Sequence, residues 1–348
     1  MKFRERVDAF VRLGEVLNEI TISDSSIYSK RYKNILIEAE KCNPWFTKRN
    51  VKHAVSQISN TLTLDNLCAW LDPYSINDQV SPKKILIVMA GNIPLVGFHD
   101  FLSVAITGNI SVVKLSSKDQ VLFRFVFSLL TEIDFRFSEY LLYIEDLSIK
   151  NFDAVIATGS DNSSKYFNYY FKNIPKIIRH SRSSICILDG SEKKIDLDGL
   201  ARDVFLYFGL GCRSVSKIYI PFGYNLDTLF AVFYHYRYLI DHQKYLSNYD
   251  YHKSIFLMGS NKFLENGFLI MKEDVSIFSP VSVLYYEYYK EIDDIIDFVD
   301  ENRKSFQSVV SKGLFCSNLH VDFGCSQSPR LWNYADNIDT IEFVLSLD

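Results

Sequence analysis

Glycine and proline are scarce in this 348-residue sequence, at 14 and 8 positions. Collagen-like repeats and low-complexity tracts are thereby excluded, and each glycine at an element boundary becomes informative about the backbone. The six cysteines (Cys42, Cys68, Cys186, Cys212, Cys316 and Cys325) include no Cys-x-x-Cys pair. Cys316 and Cys325 stand too far apart for a zinc knuckle. The seven histidines lack His-Glu-x-x-His spacing, so no metal site is expected. There is no Gly-x-Gly-x-x-Gly, hence no standard dinucleotide fingerprint. Basic residues are not in excess: 38 Lys and Arg against 42 Asp and Glu leave a net charge of −4. Such a balance exerts little pull on a phosphate backbone, and no nucleic-acid partner is expected. The longest apolar region, residues 85–106, is interrupted by Gly91, Asn92, Pro94, His99 and Asp100. No membrane span is expected from it. The charged opening MKFRERVDAF does not read as a secretory leader. The expected compartment is the cytoplasm, with reduced thiols.

What the sequence does have is hydrophobic bulk, with 48% hydrophobic and 15% aromatic residues. Its length suits two or three domains. Phe10, Leu13, Val16, Leu17 and Ile20 recur at helical spacing, as do Val51, Val55, Ile58, Leu62, Leu64, Leu67 and Trp70. Residues 1–80 therefore read as a helical N-terminal region, with a boundary near Ser81-Pro82. The pattern then changes. Residues 85–89 form a continuous apolar run, as in a strand buried on both faces. A helix follows through Ile106, closing at Gly108. Further strands are expected at 110–115, 141–144 and 154–157, with a helix from about Asp119 to Ile133. This alternation predicts an α/β fold with a doubly wound parallel sheet. Leu197, Leu200, Ala201, Val204, Phe205 and Phe208 share one helical face that Gly209 is placed to end. A strand is expected at 216–220, helices at 226–238 and 292–299, and short strands at 255–258 and 281–285.

Four short stretches can carry chemistry. Gly209-Leu210-Gly211-Cys212-Arg213-Ser214 sets a cysteine beside two glycines at a helix–strand junction. A thiolate there can attack a carbonyl while its own N–H holds the oxyanion; a buried cysteine beside a helix cap is the commoner use of such a hexapeptide. Asn92, past the strand ending at Met89, can donate to an oxyanion or simply cap the next helix. Lys114, past the strand 110–115, can hold ribose hydroxyls or a phosphate, or lie on the surface. Thr158-Gly159-Ser160 can offer N–H groups to a pyrophosphate or serve as an ordinary N-cap.

Their order is more specific than any one of them. Together they resemble the aldehyde dehydrogenase superfamily. Ala90-Gly91-Asn92-Ile93-Pro94-Leu95 is similar to its Pro-Trp-Asn-Phe-Pro-Leu segment, whose Asn completes the oxyanion hole. The stretch from Gly108 to Ser116 resembles its Gly-Asn-x-Val-Val-x-Lys-Pro-Ser, whose Lys holds the adenosine ribose. Thr158-Gly159-Ser160 matches its Thr-Gly-Ser at the cofactor pyrophosphate. Phe208-Gly209-Leu210-Gly211-Cys212 resembles its Phe-Gly-Gln-x-Cys, whose Cys is the nucleophile, and Phe278-Ser279-Pro280-Val281 resembles its Phe-Gly-Pro-Val. Asn43-Pro44-Trp45-Phe46-Thr47, the wording from Met89 to Phe101, and Phe323-Gly324-Cys325-Ser326-Gln327-Ser328-Pro329 with Trp332 and Tyr334-Ala335-Asp336 narrow the resemblance. They look like the bacterial acyl-CoA reductases, relatives of the fatty-acid reductase of bacterial luminescence, over nearly the whole chain.

The resemblance implies an aldehyde dehydrogenase-like body in four parts: the helical region 1–80, a nicotinamide cofactor-binding domain at 81–190, an α/β catalytic domain with the nucleophilic cysteine at 191–325, and a tail at 326–348. It implies Cys212 and Asn92 as catalytic residues, and Lys114, Ser116, Ser117, Thr158, Gly159 and Ser160 as cofactor-binding residues. The deacylating Glu of the hydrolytic relatives is absent: the comparable stretch is Ile178-Arg179-His180-Ser181-Arg182-Ser183-Ser184. Without that base, exchange with a thiol is favoured over release of free acid. Arg179, His180 and Arg182 either meet coenzyme phosphates, or assist the Cys212 thiolate, or are structural. Ser117 and Lys118 stand where NAD-preferring sites place an acid. NADPH is thus the expected cofactor, with NADH second. The superfamily's nicotinamide-ribose Glu is replaced near Ser276.

The expected reaction is reduction of a long-chain fatty acyl-CoA, or a carrier-protein thioester, to the aldehyde through an acyl-cysteine. Aldehyde oxidation, acyl-phosphate reduction and a non-catalytic nucleotide-binding scaffold are the alternatives, and homo-oligomerisation is left open. Glu291, Asp293, Asp294, Asp297 and Asp300 read as a solvated helix face rather than a metal site. The aromatics of 230–251 read mainly as core, with an acyl-chain channel as the alternative.

Overall fold

Buried apolar stripes and hydroxyl caps explain the N-terminal helices of a computed structural model that describes residues 1–23, 26–78, 81–145, 151–313 and 318–347. In α1 (Phe3–Ile22), Phe10, Leu13 and Leu17 are fully buried. Helices α2 (Ile27–Cys42), α3 (Lys48–Thr61) and α4 (Leu64–Leu71) start at Ser26, Thr47 and Thr63. Each of these caps accepts a backbone N–H from three residues ahead, which satisfies a donor the helix itself leaves unpaired.

After them come β1 (Lys84–Val88), α5 (Phe98–Ile106), β2 (Ile110–Lys114), α6 (Gln120–Ile133), β3 (Leu141–Tyr143), β4 (Ala154–Thr158), α7 (Asp161–Tyr170) and β5 (Lys176–Arg179). The strands form one sheet in the order β3-β2-β1-β4-β5, parallel throughout. Strand β1 explains its unbroken apolar run. Ile85 and Ile87 enter the large core that α1–α6 cover, while Leu86 and Val88 enter a second core on the opposite face.

The remaining elements are β6 (Ser183–Ile187), α8 (Lys194–Phe205), β7 (Val215–Pro221), α9 (Asp227–Phe233), α10 (Gln243–Met258), β8 (Leu264–Glu265), β9 (Ile270–Glu273), β10 (Val283–Tyr289), α11 (Ile292–Glu301), β11 (Phe306–Val310), β12 (His320–Val321) and α12 (Thr340–Leu345). A mixed sheet runs β12-β11-β6-β7-β10-β9-β8, with only the β8–β9 pair antiparallel. The overall class is α/β, as the strand–helix alternation predicts.

The chain divides into two compact units. The first comprises Met1–Ser181 and Arg330–Asp348; the second is Arg182–Pro329. In the first unit the late segment closes the core. Leu331, Tyr334, Ile341 and Val344 are buried in it. Trp70 Nε1 donates to Tyr334 Oη at 2.7 Å, Tyr74 Oη to Asp339 at 2.5 Å, and the His99 ring to the Leu331 carbonyl at 2.8 Å.

Three expectations are corrected. Residues 255–258 end helix α10 and are not a strand. Phe256 alone is buried while Ile255, Leu257 and Met258 are 42%, 60% and 86% exposed. One inward residue in four is a helical turn; a strand would alternate. The strand expected at 281–285 begins at Val283, because Ser282 is left-handed (φ 68°) and Val283 N–H closes a turn onto Pro280 O. Helix α8 stops at Phe205, short of Phe208, where the backbone turns left-handed. Elsewhere, Ile295 and Val299 bury one side of α11, and Glu291, Asp293, Asp294, Asp297 and Asp300 are exposed. In the aromatic stretch 230–251, Phe233, Tyr245 and Tyr249 are buried, whereas Tyr234, Tyr238 and Tyr251 are exposed. Among the described residues no helix is long and apolar enough to cross a membrane. Cys316 lies outside the described residues.

Candidate active site

In the first unit, the expected cofactor residues gather at the carboxyl ends of three adjacent strands. The sheet order reverses between β1 and β4, and ligands of open α/β sheets lie outside such a switch point. Register places Lys114 of β2 and Ala157 of β4 on either side of Val88, the last residue of β1. The Gly91-Asn92 loop, the Lys114–Ser117 loop and Thr158-Gly159-Ser160 therefore leave the sheet side by side. Lys114, Ser116, Thr158 and Gly159 are half-buried; Asn92, Ser117 and Ser160 are exposed.

In the first two loops the Gly91 backbone lies against the Ser116 side chain. A Cβ on Gly91 would stand 2.5 Å from Ser116 Oγ and 2.8 Å from Ser116 Cβ. Only glycine allows this approach. Ser116 Oγ in turn accepts the Lys118 N–H at 3.3 Å. Asn43, from the Asn-Pro-Trp segment, donates its side-chain amide to Gly91 O at 3.4 Å. Asn92 is not the cap of the next helix, since α5 starts six residues on with Gly97 as its N-cap. Ser160 is an N-cap: its Oγ accepts the Ser163 N–H at the start of α7.

One residue here escaped sequence reading. Asp119 Oδ2 accepts the Leu95 N–H at 2.6 Å, holding the left-handed Leu95 (φ 57°) of the Asn92 loop. Burial pushes this carboxyl well above the usual carboxylate range, and the single backbone hydrogen bond offsets only part of that. Its place directly after Ser117-Lys118 was the available signal. Arg179 is engaged in a buried ion pair: Nη2 is 2.7 Å from Asp100 Oδ1 and 3.0 Å from Thr340 Oγ1, with both charged side chains 7% exposed. His180 is exposed, and Arg182 Nη1 donates to Phe306 O at 3.4 Å.

In the second unit, Cys212 sits on a tight turn between α8 and β7. Tyr207, Phe208 and Gly209 are all left-handed, with φ of 53°, 59° and 75°. This conformation suits Gly209, but it costs each aromatic residue about 1–2 kcal/mol. Burial of both rings offsets that cost: Phe208 packs on His242 and Tyr245 at centroid distances of 4.5 and 6.0 Å. The reversal delivers Gly211-Cys212-Arg213-Ser214, a turn bonded twice. Ser214 N–H donates to Gly211 O at 3.0 Å, and Gly211 N–H to Ser214 Oγ at 3.3 Å.

The Cys212 carbonyl accepts from Ser184 Oγ at 3.0 Å. Ser184 Oγ lies 2.7 Å from Ser308 Oγ. Because the one Ser184 proton points at Cys212 O, Ser308 donates in that pair. Cys212 is half-buried, whereas Cys186 in β6 is sealed, and burial pushes its thiol well above the usual range. Sequence reading missed Ser184, Ser214 and Ser308 as supports, although Ser184 lay in the segment that lacks the deacylating Glu.

A family profile described as acyl-CoA reductase (LuxC) matches residues 14–227. Long-chain acyl-protein thioester reductase 2 of Photobacterium leiognathi is 27% identical over 176 residues, 46% of this chain and 37% of that protein. Long-chain acyl-protein thioester reductase of Aliivibrio fischeri is 24% identical over 282 residues, 69% of this chain and 56% of that one. The chain thus spans about a third to a little over half the length of these curated relatives. Among solved structures, Mycobacterium tuberculosis aldehyde dehydrogenase complexed with NAD+ superposes with a TM-score of 0.64 at 12% identity, covering 90% of this chain and 74% of that one. The fold is aldehyde dehydrogenase-like.

Proposed function

Because the chain belongs to the acyl-CoA reductase (LuxC) family, we propose that it reduces a long-chain fatty acyl thioester to the aldehyde, with NADPH as reductant and an acyl-cysteine at Cys212. The observation that carries this reading is the Gly211–Ser214 turn: it presents a half-buried cysteine three positions past the last of three left-handed residues. Strained backbone of this kind clusters at functional sites.

Support for a dinucleotide in the first unit is that the Gly91-Asn92, Lys114–Ser117 and Thr158–Ser160 loops leave adjacent parallel strands at the switch point of the sheet. Lys114, Ser116 and Ser117 would hold the adenosine ribose, and Thr158, Gly159 and Ser160 the pyrophosphate. Ser117, carrying no charge, admits a 2′-phosphate, which favours NADPH over NADH. Bound there, NADPH would supply the hydride for the acyl carbon.

The Cys212 thiolate forms a bond to the thioester carbonyl carbon, the carbon–sulfur bond to the carrier breaks, and the carrier leaves as its thiolate, which takes a proton from solvent. The Cys212 N–H is an oxyanion donor in this reading. The carrier is coenzyme A. An acyl-protein thioester is the second reading, favoured by the substrate named in both curated relatives.

The test is covalent labelling with radiolabelled long-chain acyl-CoA and, in parallel, the same acyl group on a carrier protein. Cys212→Ala is expected to abolish the label. Label that survives the substitution overturns the assignment, and the faster donor identifies the carrier.

A further inference from the structure

The segment Phe323-Gly324-Cys325-Ser326-Gln327-Ser328-Pro329 lies more than a hundred residues beyond Cys212, yet within the second unit it is built against the same turn. Its course over α8 is fixed first by two glycines. A Cβ on Gly199 would stand 2.8 Å from the Phe323 carbonyl carbon and 2.9 Å from the Gly324 nitrogen; one on Gly324 would stand 3.0 Å from Gly199 Cα. The two backbones touch because neither residue has a side chain.

One helical turn past Gly199, the buried Asp203 carboxylate accepts three hydrogen bonds from the segment. They come from Gly324 N–H at 2.6 Å, Ser326 N–H at 3.1 Å and Ser326 Oγ–H at 2.7 Å. So anchored, the segment delivers Gln327, whose Nε2 donates to Ser214 Oγ at 3.0 Å. That oxygen is also the acceptor of the Gly211 N–H, so the amide of Gln327 bears on the bond that shapes the Cys212 turn. Gln327 and Ser214 are only 6% and 3% exposed. In that setting, water is poorly placed to replace a lost partner, and a buried polar group left without one is costly.

We propose that Gln327 is a positioning residue for Cys212: clamped to α8 through Asp203, it fixes Ser214 and thereby the turn that aims the sulfur. The inference rests on the reading of Cys212 as the nucleophile. Small displacements of a reacting atom have large kinetic effects, because attack requires alignment within fractions of an ångström.

The experiment compares Gln327→Leu, Ser214→Ala and Ser214→Thr in the full chain. Cys212 alkylation by iodoacetamide is followed residue by residue by mass spectrometry, with the exposed Cys42 and Cys68 as internal references. Acylation by a long-chain acyl thioester and the KM for NADPH are measured alongside. Gln327→Leu is expected to slow acylation of Cys212 by about tenfold or more. Its Cys212 alkylation should shift relative to the references, and KM for NADPH should stay put. Ser214→Ala should behave alike, Ser214→Thr should recover most of the loss, and Gln327→Leu should add little on top of Ser214→Ala, since both cut one path.

Wild-type alkylation and acylation in a folded Gln327→Leu protein overturns the proposal, as does full additivity of the two substitutions. If Gln327→Leu fails to fold, the Ser214→Ala and Ser214→Thr pair decides the same question. If the unaltered protein takes no acyl group at Cys212, it is the nucleophile reading that fails, and the alkylation series alone judges the positioning.

Discussion

The two candidate regions are built by opposite means. In the first unit, loops sit where parallel strands end; the Asn92 loop is also held by Asn43 and Asp119, 48 and 24 positions from their partners, while the other two are shaped by residues close in sequence. Ser116 bonds two residues away and Ser160 three residues away. In the second unit, the Cys212 turn leans on residues far along the chain: Gln327 reaches Ser214 across 113 positions, and Asp203 holds Gly324 across 121. A sheet edge supplies geometry to any loop that leaves it, so a few local bonds and one or two longer ones complete a binding surface there. A turn joining a helix to a strand has no such template, so its conformation has to be held by tertiary contacts.

The sharpest way to break this comparison is to damage one unit and watch the other. Removing one partner of the buried Arg179–Asp100 pair leaves a charge uncompensated in the core. Arg179→Met should therefore cost about 3–5 kcal/mol of stability in chemical denaturation, with Asp100→Leu added to it restoring much of the loss. Cys212 alkylation at low denaturant should not change. Equal sensitivity of that thiol would show that the two regions share their supports.

A smaller effect is expected from pH. Burial raises the Asp203 carboxyl to about 6, more than its hydrogen bonds from Ser326 and Gly324 lower it. The folded state therefore holds this proton more tightly than the unfolded chain. The resulting stabilisation is present below the ordinary carboxylate range and is lost as pH rises through about 6. Its size is about 3 kcal/mol. Melting temperatures from acid to neutral pH should fall more steeply for the unaltered protein than for Asp203→Asn; parallel curves would contradict the shift. Smallest is Ser160→Ala, which removes the α7 cap at a cost of about 1 kcal/mol. A melting shift of that size with no change in Cys212 labelling would keep the first region's supports local.

Much of the fold was legible. The unbroken run Ile85–Met89 announced a strand buried on both faces, and the caps and apolar stripes announced the helices. The loops bearing Asn92, Lys114 and Ser160 were legible as well, because glycine and hydroxyl residues at strand ends mark themselves. Misreading 255–258 as a strand has a plain cause: four apolar residues contain no period, and only the buried Tyr245 and Tyr249 upstream show that the helix continues. Tyr207 and Phe208 carry no local mark of left-handed backbone, since their conformation is dictated by the pocket around their rings. Gln327 stood inside a recognised motif, but a motif names residues without naming what they touch. Ser214 was equally visible and equally mute.

The return of residues 330–347 to the first unit sets an order of events in the cell. A ribosome releases the whole of Arg182–Pro329 before Tyr334 can reach Trp70 or Thr340 can reach Arg179. The core of the first unit is therefore completed only after the stretch carrying the thiol has been made, when Leu331, Tyr334, Ile341 and Val344 reach it.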